Sequence, residues 1–249
     1  MLEETLKKLE SYTDENFIFE PVAHEYTYYG VKYMPVTTFV GTFHAKFDED
    51  YWSYTKAIER NITQEEMLAK WKTNNNRANE IGTATHNWIE NYYNRIYQEL
   101  PNDAEIIDRI NKFNTIYVEK LYKLTPVKFE QRVFSRKYNL AGTMDALFLL
   151  KDKLFIFDWK TNKKFTIKND FNNQLLPPFE QYDECKLNEY SIQTSTYKLI
   201  LSEVGIEISD MFLCHIGPTE PAKIYKCIDF SEAIEKHLSQ TDLSQFYTC

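Results

Sequence analysis

The 249-residue sequence contains few residues that interrupt regular structure and no long apolar run. Six glycines and eight prolines are too few for a loop-rich or disordered chain. The longest apolar stretches, such as Leu147–Leu150, are far too short to cross a bilayer, and residues 1–10 lack the apolar core of a secretory signal. We therefore expect a globular protein of the cytoplasm or another intracellular compartment, with no membrane partner.

Cysteine is scarce, and its spacing argues against the common cysteine-based sites. The four residues are Cys185, Cys214, Cys227 and Cys249, which form no Cys-x-x-Cys pair. This spacing favours reduced thiols over a disulfide framework or a zinc site.

Positive charge is not in excess either. The formal net charge of −8 argues against a protein that coats nucleic acid without specificity. It does not exclude an enzyme that acts on nucleic acid, because a local basic groove or bound cations can offset the overall charge. Aromatic residues make up 16% of the chain and supply material for a large core.

The order of predicted elements indicates an α/β fold with a mixed central sheet flanked by helices. Residues 1–125 are mainly helical in pattern, with short strands near the start and a capping box at Thr63-x-x-Glu66. A helix is predicted over 76–97, with Ile96 among the residues on its core face. Since no linker or repeat interrupts the sequence, we expect one domain over residues 1–249.

The second half, residues 126–249, is predicted to hold the sheet core. The predicted strands are 127–134, 142–150, 153–160, 208–216 and 223–230. A long loop over 161–186 and a helix over 187–201 separate the third strand from the fourth, and a last helix ends near Leu238.

Two of these strands bring charged residues together. If Lys151-Asp152 forms the turn of a hairpin, Asp145 lies directly opposite Asp158, and opposed residues point to the same face of a sheet. Lys160, two residues beyond Asp158, points to that face as well.

A pair of facing carboxylates is unfavourable unless something neutralises it. Mg²⁺ or Mn²⁺ binds to carboxylate oxygens and leaves positions for water and a substrate phosphate. Lys160 could then position or deprotonate the water, or stabilise the transition state. The alternative is that Asp145 and Asp158 are strand-end acids that face solvent, with Lys160 as their ion-pair partner.

The same residues belong to a longer series of short motifs. The series is Met34-Pro-Val-Thr-Thr38, Gly82-Thr-Ala-Thr-His86, Ala141-Gly-Thr-Met-Asp145, Asp158-Trp-Lys160-Thr161 and Gln193-x-x-x-Tyr197. In this order they resemble the PD-(D/E)XK nuclease superfamily, in particular its RecB-like branch and the phage and mitochondrial genome maintenance exonucleases. Met144 stands where the superfamily name has proline.

The resemblance implies a restriction-endonuclease-like core and a metal-dependent DNA exonuclease. Asp145, Asp158 and Lys160 would be catalytic, and DNA that is single-stranded or has free ends would be the substrate, in replication, recombination or repair. An endonuclease of the same superfamily and an inactive nucleic-acid-binding module remain alternatives. Some relatives hold an iron–sulfur cluster, which we do not expect here because no cysteine precedes Cys185. The sequence does not specify which proteins, if any, are partners.

Further site residues follow from the resemblance. His86 would be a metal ligand beside Asp145 and Asp158, and Gly82 and Glu90 share its helical face. Thr161 follows the lysine directly. Glu130 would line the site or bind a second metal. The alternatives are a hydrogen-bonded or surface histidine and a solvent-facing glutamate.

Contacts with DNA are expected from two groups of residues. Gln193 and Tyr197 share a helical face and, by the resemblance, hold DNA or position the lysine, although Tyr197 could equally be a core residue. Lys163, Lys164 and Arg132 lie in basic stretches on either side of the acids, where phosphate contacts are needed, although such stretches are commonly solvated faces. Trp52 and Tyr54 are candidates for stacking on unpaired bases.

Overall fold

The computed structural model describes residues 1–21 and 23–241. In this part of the chain a mixed sheet is flanked by helices, which confirms the predicted fold class. Single helical turns at Glu10–Tyr12 and Tyr117–Leu121 add to the regular elements. Those elements, in chain order, are α1 (Leu2–Leu9), β1 (Phe17–Glu20), β2 (Glu25–Tyr28), β3 (Val31–Pro35), α2 (Val36–Gly41), α3 (Glu49–Arg60), α4 (Gln64–Tyr93), α5 (Ala104–Ile116), β4 (Thr125–Ser135), β5 (Leu140–Leu150), β6 (Lys153–Lys160), α6 (Lys186–Ser202), β7 (Ile208–His215), β8 (Lys223–Lys226) and α7 (Ser231–Gln240).

The sheet has the order β1-β2-β3-β5-β6-β7-β8, and β4 pairs with β5. The β3–β5 and β6–β7 pairs are parallel, whereas the remaining pairs are antiparallel. The three consecutive strands β4, β5 and β6 form the predicted meander. Among the described residues β4 pairs only with β5, so it is an edge strand and not the central strand that was predicted.

Apolar residues cover both faces of the central strands. Leu147 and Ile156 belong to a core cluster that includes residues of α6, whereas Phe148 and Phe157 belong to a second cluster with residues of α4 and α5. Because successive residues of a strand point to opposite faces, the continuous apolar runs of β5 and β6 indicate burial on both sides.

The β5–β6 hairpin has the predicted register. Leu150 pairs with Lys153 and, at the other end of the ladder, Ala146 pairs with Phe157. The turn residues Lys151 and Asp152 have φ angles of 47° and 58°. Positive φ at both positions is typical of the type I′ turn, whose twist matches that of the strands. Continued by one residue, this register places Asp145 across from Asp158.

One edge of β5 is shared between two strands. β3 pairs with Leu140 and Ala141, and β6 pairs with Ala146–Leu150. Residues 142–145 lie between these two pairings, at the point where β3 and β6 diverge. Asp145 is the last residue of that stretch, so its side chain lies at an interruption of the ladder.

Several element boundaries differ from the sequence prediction. The long helix α4 begins at Gln64, directly after the capping box of Thr63 and Glu66, and ends at Tyr93. Ile96, predicted on its core face, lies beyond the helix end and is 55% exposed. β8 ends at Lys226 and not at residue 230.

The described cysteines Cys185, Cys214 and Cys227 are buried free thiols, and Cys249 lies outside the described residues. Among the described helices, none combines the length and the hydropathy that a bilayer crossing requires.

Candidate metal centre

The two strand aspartates lie where β3 and β6 diverge from each other, and their side chains differ in solvent exposure. Asp145 exposes 13% of its side-chain area and Asp158 exposes 2%. The backbone N–H of Trp159 donates to Asp145 Oδ2 at 2.8 Å. One strand therefore holds the carboxylate of the other, which fixes Asp145 beside Asp158.

His86 of α4 is oriented by a backbone carbonyl. Its Nε2 lies 2.9 Å from the carbonyl oxygen of Trp159, so Nε2 carries the proton and donates. In the neutral ring the lone pair is then on Nδ1, which lies 3.5 Å from Asp145 Oδ2. Histidines that bind metals commonly donate their second ring nitrogen to a carbonyl or carboxylate in this way.

Glu130 of β4 completes a group that could hold a metal ion. Ligand atoms of His86, Glu130 and Asp145 all lie within 4.8 Å of one another. This group differs in one member from the predicted ligands His86, Asp145 and Asp158. Glu130 takes the place of Asp158, whose carboxylate is engaged by Lys160.

Glu130 is held in an unfavourable state in two respects. Its φ of +45° lies in the left-handed region, which is uncommon for a residue other than glycine. Burial of the carboxyl group, followed by the negative charges of Asp145, Glu90 and Asp158, raises the pKa of Glu130 to about 8. The burial is partial, since 39% of the side-chain area of Glu130 is exposed. A cation among these acids would relieve the repulsion.

Asp158 and Lys160 form a close ion pair at the same place. Their Oδ2 and Nζ atoms are 2.6 Å apart. Burial raises the pKa of Asp158 to about 6; Lys160 opposes this shift and Asp145 reinforces it. For Lys160, burial acts to lower the pKa, but the carboxylates of Asp158 and Asp145 outweigh it and raise the pKa above its usual value. Lys160 therefore keeps its proton in this arrangement.

Helix α6 positions Lys160 from the side. The Nζ atom lies 4.3 Å from the centre of the Tyr190 ring and donates to Gln193 Oε1 at 3.3 Å. Gln193 Nε2 donates to the hydroxyl of Tyr197 at 3.3 Å and contacts Asp158 Oδ1 at 3.5 Å.

The position of Gln193 and Tyr197 corrects the prediction that they contact DNA. Both are buried, with 8% and 2% exposed. They lie beneath the lysine, so the alternative role of positioning Lys160 fits their location. Tyr197 reaches this place because Gly142 has no side chain: a Cβ there would lie 2.8 Å from the tyrosine ring.

The site opens into a cavity of about 750 Å³, which we call the metal pocket. Gly82, His86, Glu130, Lys160 and Thr161 are among its lining residues. Gly82 permits a close approach of α4 to the sheet, since a Cβ at that position would lie 3.3 Å from Thr161 Oγ1. The remaining lining residues come from the β1–β2 turn, α4, β6, the segment after β6 and α6: Pro21, His24, Ala78, Asn79, Thr83, Asn87, Trp159, Asn162 and Tyr190.

The predicted basic residues do not line this pocket. Lys163 and Lys164 are exposed, and Lys164 pairs with Asp170 at 3.2 Å. The guanidinium of Arg132 lies 5.4 Å from the centre of the Phe19 ring. A contact between these residues and DNA stays a prediction.

Tyr190 and Gly142 are site residues that the sequence analysis missed. Tyr190 precedes Gln193 by three residues, so the two share a helical face, and this spacing could have identified the tyrosine. Gly142 lies within the quoted Ala141–Asp145 motif, but the contact that requires glycine there comes from α6.

The residues present suit a hard divalent cation. Two carboxylates and one imidazole nitrogen converge, and among the described residues the buried Asp158 Oδ2 has no hydrogen-bond partner apart from its ion pair with Lys160. Oxygen-rich ligand sets of this kind suit Mg²⁺ or Mn²⁺. Asp145 and Glu130, with His86, would hold the ion, and Asp158 would border it.

Comparisons with known proteins do not identify a family. No protein-family model matches the sequence, and no curated protein matches it. One similar solved structure is the crystal structure of SSO0001, with 13% sequence identity over 96% of this chain and 86% of that chain. Its TM-score of 0.30 is too low to support an argument about fold or function.

Proposed function

We propose that this protein is a divalent-metal-dependent deoxyribonuclease of the PD-(D/E)XK type, in its RecB-like branch. The observation that carries the proposal is the convergence of His86, Glu130 and Asp145 beside the Asp158–Lys160 pair, at the divergence of two strands. The substrate would be single-stranded DNA or DNA with free ends, cut by an exonuclease inside the cell. An ordinary pair of strand-end acids would face solvent, whereas Asp158 exposes only 2% of its side chain and burial raises its pKa to about 6.

The side chains divide the work of phosphodiester hydrolysis. When bound, Mg²⁺ or Mn²⁺ supplies positive charge that polarises the scissile phosphate and makes the attacking water more acidic. Asp145, Glu130 and His86 would hold the cation, and the Trp159 carbonyl fixes the tautomer of His86 that leaves Nδ1 available as a ligand. Asp158 anchors the ammonium group of Lys160.

Lys160 acts as a charged hydrogen-bond donor in this scheme. Because its pKa is raised, it holds its proton at Nζ and offers it to a phosphate oxygen as negative charge develops. Tyr190 and Gln193 restrict its position, so little reorganisation is needed at the moment of reaction. A general-base role for Lys160 is not favoured by this environment.

The test compares the wild-type protein with Asp158→Ala and Lys160→Ala on end-labelled linear and closed circular single-stranded DNA. With Mg²⁺ or Mn²⁺, we expect the wild type to degrade linear DNA and leave circles intact, and EDTA or either substitution to stop the reaction. Cutting of circles would make the protein an endonuclease. Binding of DNA without cleavage under all metal conditions would contradict the nuclease proposal and support an inactive binding module.

A further inference from the structure

One face of helix α4 connects the metal pocket to a second cavity. This second cavity has a volume of about 860 Å³, lies between α3 and α4, and is called the α4 groove. Its lining residues are Phe47, Glu49, Leu68, Trp71, Lys72, Asn74, Asn75 and Asn76. Along α4, Trp71, Asn75, Asn79, Thr83 and His86 follow one another at intervals of three or four residues, so they lie along one side of the helix.

The side of α4 from Trp71 to His86 itself carries no acidic residue, although the protein has a net charge of −8. Other elements contribute one acid to each cavity, Glu49 to the α4 groove and Glu130 to the metal pocket. The acidic residues of the helix, Glu65, Glu66, Glu80 and Glu90, line neither cavity. Asparagine and threonine, with Lys72, provide amide, hydroxyl and ammonium groups instead. Such groups suit the phosphates and base edges of a polyanion.

The far end of the strip offers an aromatic surface. Phe47 is 65% exposed, and its ring centre lies 5.9 Å from that of Trp71. Exposed rings of this kind are sites on which unpaired bases stack. Trp71 and His86 are 15 residues apart on α4, which is about 22 Å at about 1.5 Å per residue. A stacked strand covers this length with about six or seven nucleotides at ~3.4 Å each.

We propose that the side of α4 from Trp71 to His86 is the binding track for one unpaired DNA strand, which stacks on Trp71 and Phe47 at its far end and enters the metal pocket at the other. The inference rests on the proposed function for the identity of the ligand. It adds that the enzyme recognises an unpaired strand of about six or seven nucleotides, chiefly by stacking and amide contacts. A duplex hides its bases from both rings and would not bind in this way.

The experiment measures binding of fluorescent oligothymidylates of three and eight nucleotides in EDTA, which prevents cleavage. We expect the wild type to bind the 8-mer at least about tenfold more tightly than the 3-mer. Trp71→Ala should weaken binding of the 8-mer roughly 5- to 100-fold, the range for loss of one stacked base, and should abolish the advantage of length. Lys72→Ala should reduce the salt dependence of binding by about one phosphate contact.

Matched control substitutions test whether a loss of binding comes from the proposed track or from general destabilisation of the helices. Tyr122 is 54% exposed and lines neither cavity, and Lys70 lies on α4 outside both. Tyr122→Ala and Lys70→Ala should change binding less than twofold. Because Trp71→Ala could disturb the packing of α3, a second pair of variants is compared. Trp71→Phe keeps an aromatic ring and should retain most of the binding, whereas Trp71→Leu has an aliphatic side chain and should lose it.

The outcomes distinguish failure of the track from failure of the nuclease proposal. Equal binding of 3-mer and 8-mer, or equal effects of Trp71→Ala and Tyr122→Ala, would overturn the track even if the protein cleaves DNA. A change from dimer to monomer in Trp71→Ala, with unaltered oligonucleotide binding, would assign the groove to a second copy of the chain and overturn it too. Trp71-dependent binding without cleavage in Mg²⁺ or Mn²⁺ would support the track and contradict the nuclease.

Discussion

The two ends of the β5–β6 hairpin differ in chemistry although the same strands form both. Next to the turn, Leu147 and Ile156 are fully buried and the ladder is continuous. At the other end the ladder stops, and Asp145 and Asp158 lie where β3 and β6 diverge. Packing of buried apolar residues such as Leu147 and Ile156 fixes the register of the two strands. Because of that register, the negatively charged Asp145 and Asp158 lie close together at the other end.

The comparison shows that different residues of the same strand pair have different tasks. Apolar residues near the turn stabilise the fold, and the charged residues at the other end form the proposed site. A shift of the register by one residue would turn the acids to the opposite face and bury other side chains in the core. The apolar end therefore sets the geometry of the polar end without contacting substrate. Substitutions at the two ends should have different consequences, and each prediction below tests that difference.

A substitution of the acids at the polar end of the β5–β6 hairpin should have the largest effect on activity. Asp158→Asn removes the charge that anchors Lys160, so kcat/KM on single-stranded DNA should fall at least about 10³-fold. Steady-state cleavage assays measure the loss. Asp170→Asn is the control, because Asp170 is an exposed acid paired with Lys164, and it should retain activity within twofold. Comparable losses in the two variants would contradict the assignment.

Breaking the apolar end should reduce stability. Leu147→Ala leaves a cavity in a fully buried core, so the free energy of unfolding should fall by about 2–5 kcal/mol. Urea denaturation measures this change, and Leu176→Ala, at a residue that is 41% exposed, should change it by less than about 0.5 kcal/mol. Activity per folded molecule should stay close to that of the wild type. A loss of activity as large as that of Asp158→Asn would show that the two ends are not separable.

The pH dependence of metal binding should sharpen the comparison further. The pKa of Glu130 is about 8 in the folded protein and 4.5 in its unperturbed state. Its contribution to stability is therefore full below pH 4.5 and is lost as pH rises through 8. Metal-free protein should lose stability over this window, and Mn²⁺ affinity should rise by up to about tenfold per pH unit, because binding displaces the proton.

Thermal unfolding in EDTA and in Mn²⁺ at pH 6 and pH 8 measures both effects. The increase of Tm with Mn²⁺ should be larger at pH 8. Glu130→Gln should remove this part of the pH dependence. If the variant and the wild type respond alike, Glu130 is not a ligand.

The smallest expected effect concerns the aromatic support of the lysine. Tyr190→Leu removes a ring that lies 4.3 Å from Lys160 Nζ, and a cation–π contact contributes about 0.5–2 kcal/mol. We expect kcat to fall roughly 2- to 30-fold by the same principle, with little change in KM. Tyr190→Phe keeps the ring and should stay within about twofold of the wild type. A loss in both variants would instead implicate the hydroxyl group.

The sequence predicts the structure correctly where local signals, such as turn residues, capping residues and apolar patterns, all indicate the same element. The hairpin register follows from two turn residues and two apolar strands, and the start of α4 follows from the capping box of Thr63 and Glu66. The sequence alone therefore places Asp145, Asp158 and Lys160 together. Their catalytic roles stay a prediction.

The sequence was insufficient where tertiary contacts decide the conformation. The sequence predicts one helix that begins at the Thr63 capping box and another over 76–97, whereas in the structure α4 runs without a break from Gln64 to Tyr93. The helix continues through Asn74–Asn76 although asparagine has weak helix propensity. The left-handed backbone of Glu130 lies inside a strand and has no local signal. The buried positions of Gln193 and Tyr197 depend on Gly142, which is distant in sequence.

The pairing of β3 with β5 has a consequence for the order in which the protein folds. The hairpin joins residues that are neighbours in the chain, whereas Met34 pairs with Leu140, about a hundred residues later. Closing so long a loop is slow compared with forming a hairpin. The β1–β2 turn, whose Pro21 and His24 line the metal pocket, precedes β3. We expect the carboxylates of β4, β5 and β6 to come together before the β1–β2 turn closes that side of the metal pocket.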